Sequence, residues 1–363
     1  MLDRIDFEVR TDAPTLDHYR RAWLPGPGVG LAGMWVGAVV SDAAGQDYWG
    51  LRGADDFLAG MTHVVSPITG FKKLQKTFDP DPPHLFPEYS SIDWFEPLEY
   101  SDDGTSVQLT YYSGRMVRDA EGFHWYDASD RWQLHGRPAS DVFTIHVPVQ
   151  DGIDDEVYYR HELLNATGTV NGVEVSGYLH QDYSYGPPGT IYPELPIVRQ
   201  LQGMWVSWLV EYGEDEWCGG CFWQGRDGLA FGPGYQFKDG ITTAHDDITA
   251  RPTFDGAGKL VRLDVSIGAD SYAFDFDTAG SYIHYFGRIT DRCRDEPLAR
   301  RAESSDEPLA RRAESSDEPL ARRAEGPGRR PARSWCWVEY AAGLITPEIL
   351  DLMLQRFRLA RGR

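Results

Sequence analysis

Most of the proton chemistry legible in this chain lies between His180 and Tyr185. The stretch SGYLHQDYSYGPPG, Ser176 to Gly189, brings His180, Asp182, Tyr183 and Tyr185 together just before a glycine and a proline pair. A carboxyl group beside an imidazole and phenols can give or take a proton, and an apolar pocket raises the pKa of such a carboxyl. If residues 173–181 are extended, alternation puts Glu174, Ser176, Tyr178 and His180 on one face. Asp182 continues that face, and Tyr183 and Tyr185 fall on the other. Taken alone, the stretch favours the plainer reading, a buried hydrogen-bonded network that fixes a turn.

Other clusters give less. Cys218-Gly-Gly-Cys221 has the spacing of half a zinc site or of a redox pair. It lies in a stretch that reads as a strand, where its two cysteines point to opposite faces, and no helix follows as a redox motif requires. Cys293 and Cys336 have no paired spacing, so ordinary strand residues are expected. His245, Asp246 and Asp247 follow a turn without a second group of ligands. No nucleophile elbow, phosphate loop or dinucleotide fingerprint occurs, so neither a metal nor an organic cofactor is expected.

The elements that must position these groups are mostly strands. Segments such as GTSVQLTYYSGRMV, GMWVSWLVEYGEDEWCGGCFWQG and KLVRLDVSIGADSYAFDFDTAGSYIHYFGRI are rich in β-branched and aromatic residues, and Asx-Gly pairs punctuate them. Asn171-Gly172, between ATGTV and VEVSGYL, predicts a type I′ hairpin, because both central residues need positive φ. Short strands at this spacing predict sandwiches or barrels. Helix is expected at two places only. One is residues 14–23. The other follows Thr346, where an N-cap threonine and Pro347 precede apolar residues at helical spacing.

Copies of DEPLARRAESS begin at Asp295 and Asp306, and a third begins at Asp317. Each offers too little apolar surface to pack and carries a proline that opposes a continuous helix, so a solvated insertion in a loop is expected.

Lys and Arg number 35 against 56 Asp and Glu, a formal net charge of −21. Such a surface repels phosphate backbones and anionic membrane faces, which excludes nucleic acid as the expected partner. No apolar run is long enough to span a bilayer, so no stable membrane insertion is expected. The opening MLDRIDFEVRTDAP has no apolar signal region, and a cytoplasmic location with reduced cysteines is expected. No interface between copies is legible.

The order of pieces in EVYYRHELLNATGTVNGVEVSGYLHQDYSYGPP resembles the tandem lipocalin-like (calycin) superfamily of carotenoid 1,2-hydratase, kievitone hydratase and AttH-type proteins. Tyr159, His161 and Glu162 match its first strand motif, Gly168–Gly172 with Val173 and Val175 its hairpin, and Gly177–Gly186 its following motif. Asp182, Ser184 and Gly186 match that last motif residue by residue. Gln181 stands where the family has Arg, Tyr183 where it has His, and Tyr185 where it has Trp. A Trp-rich strand, GMWVSWLVEY, and a late WCWVEY strand also follow in the family's order.

The resemblance implies an all-β fold of two lipocalin-like barrels packed together, with a short C-terminal helix. The first barrel is expected over residues 1–185. The second is expected over 186–345, with the insertion at 294–332, and the helix over 346–363. It also implies an apolar pocket for a hydrophobic small molecule of isoprenoid, steroid or polyketide type. The implied chemistry is cofactor-free hydration, isomerisation or cyclisation of a double bond, with a non-catalytic lipid carrier of the same fold as the alternative. Asp182 is then the expected proton donor, with His180 and Tyr183 orienting it or taking the proton back. Tyr185, Trp205, Trp208 and Trp223 are the expected pocket walls, and ordinary barrel core is the competing role for those tryptophans.

Overall fold

A computed structural model of the chain describes residues 3–54, 58–65, 95–112, 114–127, 130–213, 216–238, 240–279, 284–294, 331–341 and seven positions between 347 and 358. The fold is nearly all-β, with its strands in two curled half-barrel sheets. The repeat of residues 295–325 and the capping Thr346 lie outside the described residues.

The first sheet runs β5 (Phe95–Pro97), β4 (Leu58–Val65), β3 (Asp47–Ala54), β2 (Gly30–Asp42), β13 (Val173–Gly186), β12 (Val157–Val170), β10 (Trp132–Pro138), β9 (Phe123–Asp127), β8 (Gly114–Arg118), β7 (Val107–Tyr111) and β6 (Glu99–Asp102). β1 (Glu8–Asp12) and β11 (Val142–Val147) branch from β12. The second sheet runs β17 (Ile241–His245), β16 (Gly234–Lys238), β15 (Glu216–Gly225), β14 (Gln202–Gly213), β22 (Arg333–Tyr340), β21 (His284–Arg294), β20 (Asp270–Ala279), β19 (Leu260–Ile267) and β18 (Thr249–Phe254). In each sheet the two edge strands are consecutive in the chain: β5 and β6 flank Leu98, and β17 and β18 flank residues 246–248. This continuity bends each sheet round on itself.

The Asn171-Gly172 hairpin forms as the sequence predicts, with φ of 55° and 79° at its two central residues. It sets the β12–β13 register, so Asp182 lies opposite His161 on one side and opposite Trp35 of β2 on the other. Helix is sparse. The expectation over 14–23 reduces to a 3-10 turn at Leu16–Tyr19, and the described positions between 347 and 358 are helical. Among the described residues no helix is long and apolar enough to cross a membrane.

Three apolar cores result. One fills the first half-barrel, with Val36, Leu134, Leu164, Leu179, Tyr183 and Tyr185. One fills the second, with Val206, Trp208, Phe222, Leu263 and Phe274. The largest, with Trp49, Tyr159, Tyr178, Trp205, Leu209, Trp223 and Trp337, is the seam where the two sheets pack. Alternation sorts each strand between its own half-barrel and this seam.

Inside the first half-barrel Arg52 of β3 grips Asp127 of β9 through Nε (3.0 Å) and Nη2 (2.8 Å), with both side chains almost fully buried. Tyr111 (3.1 Å) and Trp125 (3.2 Å) add hydrogen bonds to the same carboxylate. Removing one partner leaves the other charge buried and uncompensated. Asp127→Ala is therefore expected to destabilise the chain by about 3–5 kcal/mol in chemical denaturation; a loss within ordinary surface values would show that the pair does not hold the sheet.

Candidate active site

On β13 the seam face carries Tyr178, His180, Asp182 and Ser184, and on β12 it carries Tyr159, His161 and Leu163. One carboxyl group is the hub. Tyr159 donates its hydroxyl proton to Asp182 Oδ1 at 2.8 Å, and Trp205 Nε1 of the opposite sheet donates to the Tyr159 oxygen at 2.7 Å. His161 Nε2 lies 3.5 Å from Asp182 Oδ1, and His180 Nδ1 lies 3.3 Å from Oδ2. His161 Nδ1 is hydrogen-bonded to the Tyr235 hydroxyl at 2.9 Å, which in turn accepts from Ser140 Oγ at 3.2 Å. Both imidazoles are buried, while the Asp182 side chain keeps 10% of its surface exposed.

Indoles of the second sheet form the facing wall. The His180 ring lies 5.0 Å from Trp205 and 4.9 Å from Trp337, and Trp223 stands edge-on to Tyr159 at 4.8 Å. The approach depends on Gly37, opposite His180 on β2: a Cβ there would come within 2.0 Å of His180 Nε2 and 2.4 Å of the Trp337 ring.

Burial sets the protonation states. His161 is pushed down to about 3 by burial, which outweighs the pull of Asp182, and His180 beside it adds to the fall. Its ring is neutral at physiological pH. Burial also raises the Tyr159 and Cys221 protons well above their ordinary values.

Glu339 is a group that the sequence reading did not single out. It sits on β22 opposite both Trp205 and His284, with 22% of its side chain exposed. Its Oε1 lies 3.4 Å from His284 Nδ1, the nitrogen that accepts from Trp337 Nε1 at 2.9 Å. Burial, then the Asp182 charge, push the Glu339 carboxyl up to about 8, against a hydrogen bond with Gln202. Tyr192 lies within electrostatic reach of both Glu339 and Asp182, and its ring packs against Trp35 at 5.5 Å. The seam thus holds an acidic group from each sheet.

The expected residues divide between the two faces. Asp182, His180, Trp205 and Trp223 come together at the seam. Tyr183 and Tyr185 lie on the opposite face of β13, inside the first half-barrel. Tyr183 packs under the Arg160 guanidinium at 3.9 Å, in a group where Glu162 pairs with Arg118 at 3.2 Å and accepts from Tyr19. It cannot orient Asp182 from there. Tyr183 and Tyr185 instead line a recess with Tyr19, Trp23, Met34 and Leu109. Trp208 points into the second half-barrel against Tyr272 and Phe274 and has the core role. Cys218 and Cys221 do fall on opposite faces, and neither forms a disulfide with Cys336. The side chain of Cys293 lies outside what is described. His161, His180 and Asp182 form a three-ligand group whose donor atoms all lie within 4.8 Å of one another, an arrangement that spacing along the chain did not show.

No family model and no curated protein matches the chain. Solved structures similar to it include kievitone hydratase from Nectria haematococca, at 7% identity over 86% of this chain and 90% of that one, with a TM-score of 0.28. Another is CghA, at 9% identity over 78% of this chain and 92% of that one, with a TM-score of 0.34. At these values the likeness concerns the course of the chain, and no residue role is carried over from it.

Glu339 gives a measurable signature. A carboxyl whose folded pKa is raised keeps its proton in the folded state while the unfolded chain loses it, so stability falls as pH rises from 4.5 to about 8 and is level above that. Glu339→Gln is expected to flatten this fall in melting temperature across the same window. An unchanged pH slope would place Glu339 in an ordinary solvated setting.

Proposed function

We propose that the chain is a cofactor-independent enzyme that moves protons to and from a double bond of a hydrophobic small molecule, by hydration or by proton-initiated isomerisation or cyclisation. The observation that carries this reading is Asp182, a single carboxyl reached by two imidazoles and a phenol in an aromatic seam between two sheets. In hydration, Glu339, in place of the Asp182 that the sequence resemblance implies as donor, gives its proton to one alkene carbon. Water adds its oxygen to the other, and the proton that the water loses passes to Asp182 with His180 beside Oδ2. Burial pushes the Glu339 carboxyl up to about 8, which suits it to the donor's part. The cation formed on carbon faces the indoles of Trp205 and Trp337, which stabilise positive charge where water is sparse. Isoprenoid, steroid or polyketide skeletons supply such double bonds on an apolar frame. The Asp182 and Glu339 side chains keep 10% and 22% of their surface exposed, which supports these two carboxyls as the points of contact in this reading.

A non-catalytic carrier of an apolar ligand is the second reading. The recess walled by Tyr19, Trp23, Tyr183 and Tyr185 favours it, since it offers aromatic surface away from the seam.

Native mass spectrometry of protein purified from its source is expected to reveal a bound apolar molecule. With that molecule as substrate, Asp182→Asn is expected to leave binding unchanged and to lower conversion by about 10²–10⁴. Conversion that survives in Asp182→Asn would remove Asp182 from the chemistry. Binding without conversion in the unaltered chain would leave the carrier.

A further inference from the structure

We infer that His161 Nε2, His180 Nδ1 and an oxygen of Asp182 form a binding site for one tetrahedral divalent cation of the zinc class. The inference goes beyond the acid–base reading and stands or falls separately from it. Its first ground is a mismatch. The two imidazole nitrogens lie 3.5 and 3.3 Å from the Asp182 oxygens, yet neither has a hydrogen-bond partner, although both rings are fully buried. Buried polar nitrogens left in this way call for a reason.

Those separations fit a metal better than a proton. A tetrahedral zinc ion holds nitrogen and oxygen ligands at about 2.0–2.1 Å, which spaces the ligand atoms about 3.4 Å apart. All three donor atoms lie within 4.8 Å of one another, so that a small inward shift of the side chains would bring them onto one ion. The two imidazoles lie side by side, with centroids 5.6 Å apart and planes inclined by 14°, as rings radiating from a shared point can.

The ligands are also held from behind. Tyr235 fixes His161 through Nδ1 at 2.9 Å and leaves Nε2 facing Asp182. His180 Nε2 is pressed against Gly37, so Nδ1 is the nitrogen that faces the carboxylate. Tyr159 steadies Asp182 Oδ1 and is itself held by Trp205. Hydrogen bonds behind His161 and Asp182 orient them and raise affinity, while His180 is held by packing alone. Two imidazoles and one carboxylate suit zinc and its cobalt surrogate, and three protein ligands leave a fourth position for water. The formal charge of −21 raises the concentration of cations around the chain.

Binding would require an ionised Asp182 and a free lone pair on each ligating nitrogen, so metal and transferable protons compete for the same groups. Bound zinc is therefore expected to silence proton transfer at the seam.

The test uses full-length chain stripped with a chelator, then loaded with Zn²⁺ or Co²⁺ and desalted. The expected result is about one ion per chain by elemental analysis, with the intense visible absorption of four-coordinate cobalt. His161→Gln and His180→Gln are expected to weaken affinity by at least about 100-fold, and Tyr235→Phe, which keeps all three ligands, by about 10- to 100-fold. His245→Gln, in the separate His245-Asp246-Asp247 turn, should change nothing. Near-ultraviolet circular dichroism checks that each variant is folded. Failure of the unaltered chain to retain either ion would overturn the inference, as would equal retention in both ligand variants or a six-coordinate cobalt spectrum. Metal content needs no substrate, so loss of the acid–base reading would leave this result intact.

Discussion

A carboxyl group held between two sheets is the constraint around which the rest of the molecule is arranged. Burying an acidic side chain is unfavourable unless dipoles and protons are brought to it. Here Tyr159 and His161 come from the neighbouring strand, His180 from two residues away on the same strand, and Trp205 from the opposite sheet to steady Tyr159. The sheets can therefore dock only in a register that completes this set. Further polar ties fix the same register: Tyr178 with Ser207 at 2.9 Å and Trp335 with Ser41 at 2.8 Å. Gly37 lets the sheets close by leaving room for the His180 imidazole and the Trp337 indole.

The two faces of β13 consequently do different work. The seam face gathers groups that hold and exchange protons against a wall of indoles. The inner face buries an ionic group, Glu162 with Arg118 and Tyr19, beside Arg160, whose guanidinium lies against the rings of Tyr183 and Trp23. That inner network pairs Glu162 with Arg118 and stiffens the half-barrel, although Arg160 Nη2 there, like the imidazole nitrogens of the seam, has no hydrogen bond. Two unsatisfied imidazole nitrogens turned toward one carboxyl are the feature that supports the proposed placement of the functional face at the seam.

Local pattern made much of the fold legible. Asn171-Gly172 announced the hairpin that pairs β12 with β13, and alternation separated His180 and Asp182 from Tyr183 and Tyr185. What alternation cannot say is which face meets which neighbour. Tyr183 became a companion of Asp182 only through its place in the resembled motif, although alternation already set it on the other face. Trp205 and Trp208 likewise looked equivalent, although three residues along a strand reverse the side chain. The remaining partners were hidden by distance in the chain. His161 reaches Asp182 through strand register, and Glu339 reaches the seam only through the packing of β14, β21 and β22. His161 stood in the resembled strand motif without a link to Asp182, and Glu339 had no motif spacing to announce it.

The placement of the functional face at the seam meets its most direct test in a crystal structure of the chain with its co-purifying apolar molecule. Density for that molecule against Asp182, Glu339 and Trp205 is the expected result. Density confined to the recess walled by Tyr183, Tyr185 and Trp23, with none at the seam, would contradict it.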